Sequence, residues 1–123
     1  MELNHTIVPA HDKEVSARFF AEIFGLSYDG AVSHFAPVKV NDQLTMDFDN
    51  SSEFKSHHYA FKVSNTEFDS IFSRLQASDN AYGSEPWTPA DGKLNERYGG
   101  RGVYWLDQDG HMMEILTRDG TEQ

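Results

Sequence analysis

Cysteine is absent from the chain, which excludes disulfides, thiolate metal ligands and a thiol nucleophile, and leaves nitrogen and oxygen as the strong side-chain donors. Long apolar runs are missing too. None approaches the roughly 20 residues that a bilayer-spanning helix needs, and Met1-Glu2-Leu3-Asn4-His5 lacks the basic-then-apolar order of an export signal. A cytoplasmic protein with no membrane partner is expected. Basic residues are scarce, ten Lys and Arg against twenty Asp and Glu, and the formal charge of -10 opposes binding to nucleic acid. What is present is a 38% hydrophobic chain of 123 residues, enough for one folded domain over residues 1–123. It also holds six histidines, which at neutral pH are better suited to being ligands than charges.

Apolar periodicity divides the chain into two similar halves, approximately residues 1–50 and 56–118. Residues 3–8 are short, partly β-branched and stopped by Pro9, as a strand would be. Asp12 then caps a helix whose apolar stripe is Val15, Phe19, Phe20, Ile23 and Phe24, with Gly25 as its stop. Strands are predicted over 27–29, 34–40 and 44–48. The order βαβββ begins again at His57. A strand over 57–63 alternates Tyr59, Phe61 and Val63 with His58, Ala60 and Lys62; Ser64 and Glu67 have capping-box spacing, and Phe68, Ile71, Phe72 and Leu75 form a helical stripe. Further strands are predicted over 81–85, 102–106 and 111–117.

Superposing His5 on His58 aligns more than the element order. Phe19 and Phe72 each fall fourteen residues later, Tyr28 and Tyr82 nearly coincide, and Met46-Asp47-Phe48 resembles Met113-Glu114-Ile115. Each half therefore begins with a histidine and ends with a carboxylate. The separation is 42 residues in the first half and 56 in the second, so the second carries fourteen more, which the Pro- and Gly-containing stretch 86–100 can hold as a loop. Two imidazoles and a carboxylate suit a hard or borderline divalent ion and leave positions open for substrate. Strand phase turns Asp47 away from the apolar Leu44, Met46 and Phe48, and His58 away from Phe61 and Val63. In the final strand the two faces do not separate by polarity, and the repeat alignment alone places Glu114.

The His5-Thr6-Ile7-Val8 start, the strand His58-Tyr59-Ala60-Phe61-Lys62-Val63 and the segment from Arg101 through Asp107-Gln108-Asp109-Gly110-His111 to Ile115 resemble the vicinal oxygen chelate superfamily of glyoxalases, bleomycin-resistance proteins and extradiol dioxygenases. The resemblance implies an α+β fold: two βαβββ modules forming a cup-shaped mixed sheet, with helices on the outer face. It implies His5, His58 and Glu114 as metal ligands. Asp47 falls where glyoxalase I enzymes have a fourth, glutamate ligand, and as a shorter side chain it is a ligand, a water-orienting group or a proton shuttle. The implied cofactor is a divalent ion (Fe, Ni, Zn or Mn), the partner a small-molecule substrate, and the assembly a homodimer. The implied activity is that of a glyoxalase-like lyase or isomerase or of a small dioxygenase; the alternative is a resistance protein that sequesters a drug without turnover.

Other residues are weighed singly. Trp87 and Tyr98 can offer aromatic walls and Lys93, Arg97 and Arg101 can bind an anionic group, if the loop they share is a lid and not a solvated connection in which Arg101 makes a structural salt bridge. Tyr104 is a candidate hydrogen-bond or proton donor. His57 should point away from His58, and His34 and His111 are expected to be structural or surface residues.

Overall fold

The computed structural model describes residues 1–121 and contains two compact units, Met1–Lys55 and the part of the chain from Ser56 on. The first unit runs β1 (His5–Ala10), α1 (Lys13–Phe24), β2 (Ala36–Lys39) and β3 (Thr45–Asn50). The second runs β4 (His58–Lys62), α2 (Asn65–Ala77), a single 3-10 turn (Arg97–Gly99), β5 (Gly102–Leu106) and β6 (Met112–Leu116). Each unit has a mixed three-stranded sheet, ordered β1-β3-β2 in one and β4-β6-β5 in the other. β1 is parallel to β3 as β4 is to β6, and β2 is antiparallel to β3 as β5 is to β6. The fold is α+β, built of two modules of βαβββ type.

Capping explains the helix limits. Asp12 accepts from the amides of Glu14 and Val15, and Gly25 ends α1 in the left-handed conformation at φ 69°. Ser64 and Glu67 close a reciprocal capping box on α2. α1 lies on its sheet through small side chains as well as large ones: Ser16, Ala17, Phe20, Ala21 and Ile23 are buried, while Val15, expected in the stripe, is exposed. The Ser and Ala positions let the helix axis approach Val8, Ala10, Ala36, Val38, Met46 and Phe48, all fully buried or nearly so. In the second unit Phe68, Ile71 and Leu75 of α2 and Val103, Trp105, Met113 and Ile115 of the sheet are the buried apolar set.

The strand following each helix is the least regular element. Residues 27–29 form no strand. Over 81–85 the expected strand is reduced to isolated bridges, Gly83 to Tyr104 and Glu85 to Thr88. A Cβ on Gly83 would lie 1.8 Å from the Thr88 carbonyl oxygen, so the loop doubles back on this residue too closely for an extended strand to continue. Among the described residues no helix is long and apolar enough to cross a membrane.

Candidate metal and substrate site

The two sheets place their polar residues by the same register. In the first, Ile7, Asp47 and Pro37 form one cross-strand row, with His5 opposite Thr45. In the second, Ala60, Glu114 and Tyr104 form the corresponding row, with His58 opposite Met112. His5 thus stands to Asp47 as His58 stands to Glu114. Alternation puts these residues on the face away from the apolar set, which settles the phase of the last strand: Met113 and Ile115 join the core and Glu114 faces the other way.

Within the second unit this brings His58 Nε2 to 2.9 Å from Glu114 Oε1. Glu114 is 9% exposed and His58 is open to solvent. Tyr104, 2% exposed, is the residue directly across from Glu114 and also hydrogen-bonds it. Burial pushes the Tyr104 hydroxyl above its ordinary range and the Glu114 charge adds to this, while the hydrogen bond from Arg97 opposes it. The phenol is therefore a protonated donor at neutral pH. Arg97 Nη1 donates to the Tyr104 oxygen at 2.7 Å, and Nη2 is paired with Glu85. A cleft of about 280 Å³ opens here, bordered by Asn95, Arg97, Tyr98, Tyr104, Glu114 and Leu116 among others.

In the first unit His5 is exposed, with Nδ1 2.8 Å from the Asn4 side-chain oxygen, and Asp47 is half-buried. His34 pairs with Asp49 at 3.4 Å. Imidazole nitrogen beside carboxylate oxygen is a donor set that fits a divalent ion, and the His58–Glu114 pair supplies both within one unit. Among the described residues no group of three or more His, Asp or Glu is gathered as a metal cluster.

The loop candidates take different positions. Arg101 borders the cleft, but its guanidinium is committed to α2: Nη1 donates to Asp69 at 2.7 Å, Nη2 to the Asn65 carbonyl and side-chain oxygens at 3.1 Å, and the group lies 4.4 Å from the Phe68 ring centre. Arg97 borders the cleft with its guanidinium paired to Glu85 and Tyr104. Trp87 is 77% exposed and Lys93 is exposed, and neither borders the cleft; between them the loop folds around Asp91. Tyr98 does border it, held at φ 58° with its ring against Gly120, where an added Cβ would meet the ring at 3.3 Å. Sequence reasoning missed one group. Glu85 partners Arg97 across twelve residues of loop, a distance no periodicity marks. His111 is fully buried, its Nδ1 accepting the His57 amide at 3.0 Å. His57 stacks on Tyr59, on the side away from His58 as alternation requires.

No family model matches the chain. It is similar to the solved structure of Oxidase ChaP-H2, with a TM-score of 0.91 and 42% identity over 97% of this chain and 94% of that one. It is 26% identical over 121 residues to metallothiol transferase FosB of Lysinibacillus sphaericus (strain C3-41), covering 94% of this chain and 81% of the relative. A glyoxalase/dioxygenase from Nostoc punctiforme shares the fold, with a TM-score of 0.70 at 22% identity over 94% of this chain and 89% of that one.

Proposed function

The chain belongs to the vicinal oxygen chelate superfamily, and we propose that it is a metal-dependent enzyme of small molecules in which His5, His58 and Glu114 hold a divalent ion. The observation that carries this is the His58–Glu114 pair, 2.9 Å apart, with its carboxylate on the wall of a cleft large enough for part of a small substrate. Kinship with oxidases at 42% identity favours an oxidation, of dioxygenase type, as the reaction. The position of Asp47 and the similarity to a metallothiol transferase favour a second reading, a lyase, isomerase or transferase reaction in which Asp47 moves a proton. Sequestration of a drug without turnover is the weaker alternative, since simple binding does not call for an open ligand set.

When bound, the ion supplies Lewis-acid polarisation of substrate oxygens and, if it is redox-active, electron transfer. The chain's own residues do the rest. Glu114 would give an anionic oxygen ligand and His58 a neutral imidazole nitrogen. Tyr104 lines the cleft wall beside Glu114 with its phenol protonated. Tyr98 supplies an aromatic surface beside it. Homodimerisation and residence in the cytoplasm belong to the same proposal, the first checked by sedimentation.

Purified protein should contain near-stoichiometric divalent metal, and His58→Ala should lose most of it while remaining folded. Full metal retention by that variant sinks the assignment. Oxygen uptake with a panel of catechol-like substrates and Fe(II), set against turnover of hemithioacetals with Ni(II), separates the two enzyme readings. Drug binding with no turnover of either panel favours sequestration.

A further inference from the structure

We infer that Glu85, Arg97 and Tyr104 form a hydrogen-bond relay that positions the Glu114 carboxylate, so that the loop between α2 and β5 sets the geometry of a group on β6. The functional consequence rests on the proposed role of Glu114 as a metal ligand.

The loop is built to hold Arg97 still. Gly83 and Tyr104 exchange both backbone hydrogen bonds, at 2.8 and 2.9 Å, and Asn95 and Gly102 do the same at 3.0 Å. Asp91 gathers the Ser84 amide and hydroxyl and the Lys93 amide at 2.6 to 3.0 Å. The Asn95 side chain spans the Ser84 carbonyl and the Arg97 amide. The Arg97 guanidinium is thereby fixed between Glu85 and the Tyr104 hydroxyl, which it meets at 2.7 Å.

Chemistry then gives the relay a direction. A guanidinium has donors only, so the Tyr104 oxygen must accept from Arg97, and the single phenolic proton is left for the carboxylate across the strand. Tyr104 and Glu114 are buried, so water competes poorly for either group. Glu114 lies between the buried Tyr104 and the solvent-open His58. Outer groups of this kind orient a ligating carboxylate. The first unit serves as an internal control: Pro37 stands opposite Asp47 at the equivalent place and has no hydroxyl to offer. The fold therefore does not require the relay, and only the half with the longer loop has it.

The test uses Tyr104→Phe, Arg97→Met, Glu85→Gln and the double variant Tyr104→Phe/Arg97→Met, read by Co(II) affinity, by the visible absorption of the Co(II)-loaded protein and by melting temperature. Each single change should weaken Co(II) binding about tenfold or more and alter the absorption band. The double variant should bind no more weakly than the weaker single one, because the groups act in series. In the metal-free protein the Tyr104 hydroxyl proton should give a slowly exchanging NMR signal that shifts in Glu114→Gln and broadens in Arg97→Met. A merely structural role predicts lower melting temperatures with wild-type Co(II) affinity and spectrum, and that result overturns the positioning role. If His58→Ala abolishes Co(II) binding while Tyr104→Phe leaves it unchanged, the relay fails and the metal reading stands. If the wild-type chain binds no Co(II), the metal reading fails and takes the positioning role with it, even if the hydroxyl signal is seen.

Discussion

Replacing Arg101 by methionine separates a substrate contact from a structural one. The Asp69 partner is largely solvent-exposed, so that ion pair contributes about 0.2–1 kcal/mol. Placement of the guanidinium over Phe68 adds about 0.5–1 kcal/mol. The hydrogen bonds to the Asn65 carbonyl and side chain are shared by one nitrogen and overlap with both terms, so they raise the total little. Methionine keeps much of the apolar contact with the ring. The expected loss is therefore about 1–2 kcal/mol, or roughly 4–8 °C in melting temperature for a chain of this size. Thermal melts of Arg101→Met, Asp69→Asn and the double variant should show the Asp69 change to be largely redundant once Arg101 is gone. Metal content and KM should stay near wild type. An unchanged melting temperature with a large rise in KM would refute the reasoning, because Arg101 would then be spending its charge on substrate and not on α2.

Three further outcomes are expected. Asp47→Asn should leave metal content near wild type and reduce turnover by about 10²–10⁴-fold if Asp47 is a proton shuttle; loss of metal would instead make it a ligand. Gly83→Ala places a Cβ 1.8 Å from the Thr88 oxygen and should cost more than about 2 kcal/mol, seen as a lower melting temperature and faster proteolysis within 84–100. Asp107 is held above the ordinary carboxylate range by burial, against hydrogen bonds from the His111 and Asp109 amides. A raised folded-state value means that the folded chain binds this proton more tightly than the unfolded chain, so the group's contribution falls as pH rises through the shifted range. Asp107→Asn keeps an accepting oxygen and removes that slope. Its urea midpoint relative to wild type should therefore improve as pH rises above the ordinary carboxylate range near about pH 4, and a difference that stays constant with pH would count against the buried charge.

Much of the fold was legible because local signals agreed with one another. Asp12, Gly25, Ser64 and Glu67 mark helix ends through hydrogen bonds made within a few residues, and β4 alternates cleanly because only one of its faces is core. The last strand resisted because both of its faces are occluded: Met113 and Ile115 by the core, Glu114 by His58 and Tyr104. Alternation of polarity cannot reveal phase in such a strand, whereas the internal repeat could, and the shared register bears out that alignment. The loop was legible only as a loop. Whether an arginine meets substrate, Glu85 or Asp69 depends on where the chain returns after a dozen residues, and nothing in its spacing records that.

The two halves also show what the longer connection adds. Both sheets offer a histidine and a carboxylate at matched positions, yet Asp47 is half-buried beside a proline while Glu114 is nearly enclosed beside a tyrosine. The difference lies less in the strands than in the fourteen additional residues, whose bridges at Gly83 and Asn95 flank β5 and fix Arg97 against Tyr104. A buried carboxylate needs hydrogen-bond partners, and in the second unit a phenol and an imidazole supply them. On this reasoning the loop acts first as the support of Glu114 and only second as a wall for substrate. Changes at Glu85 should consequently be felt in Co(II) affinity if Glu114 is a ligand, even though Glu85 itself touches Arg97 and not the carboxylate.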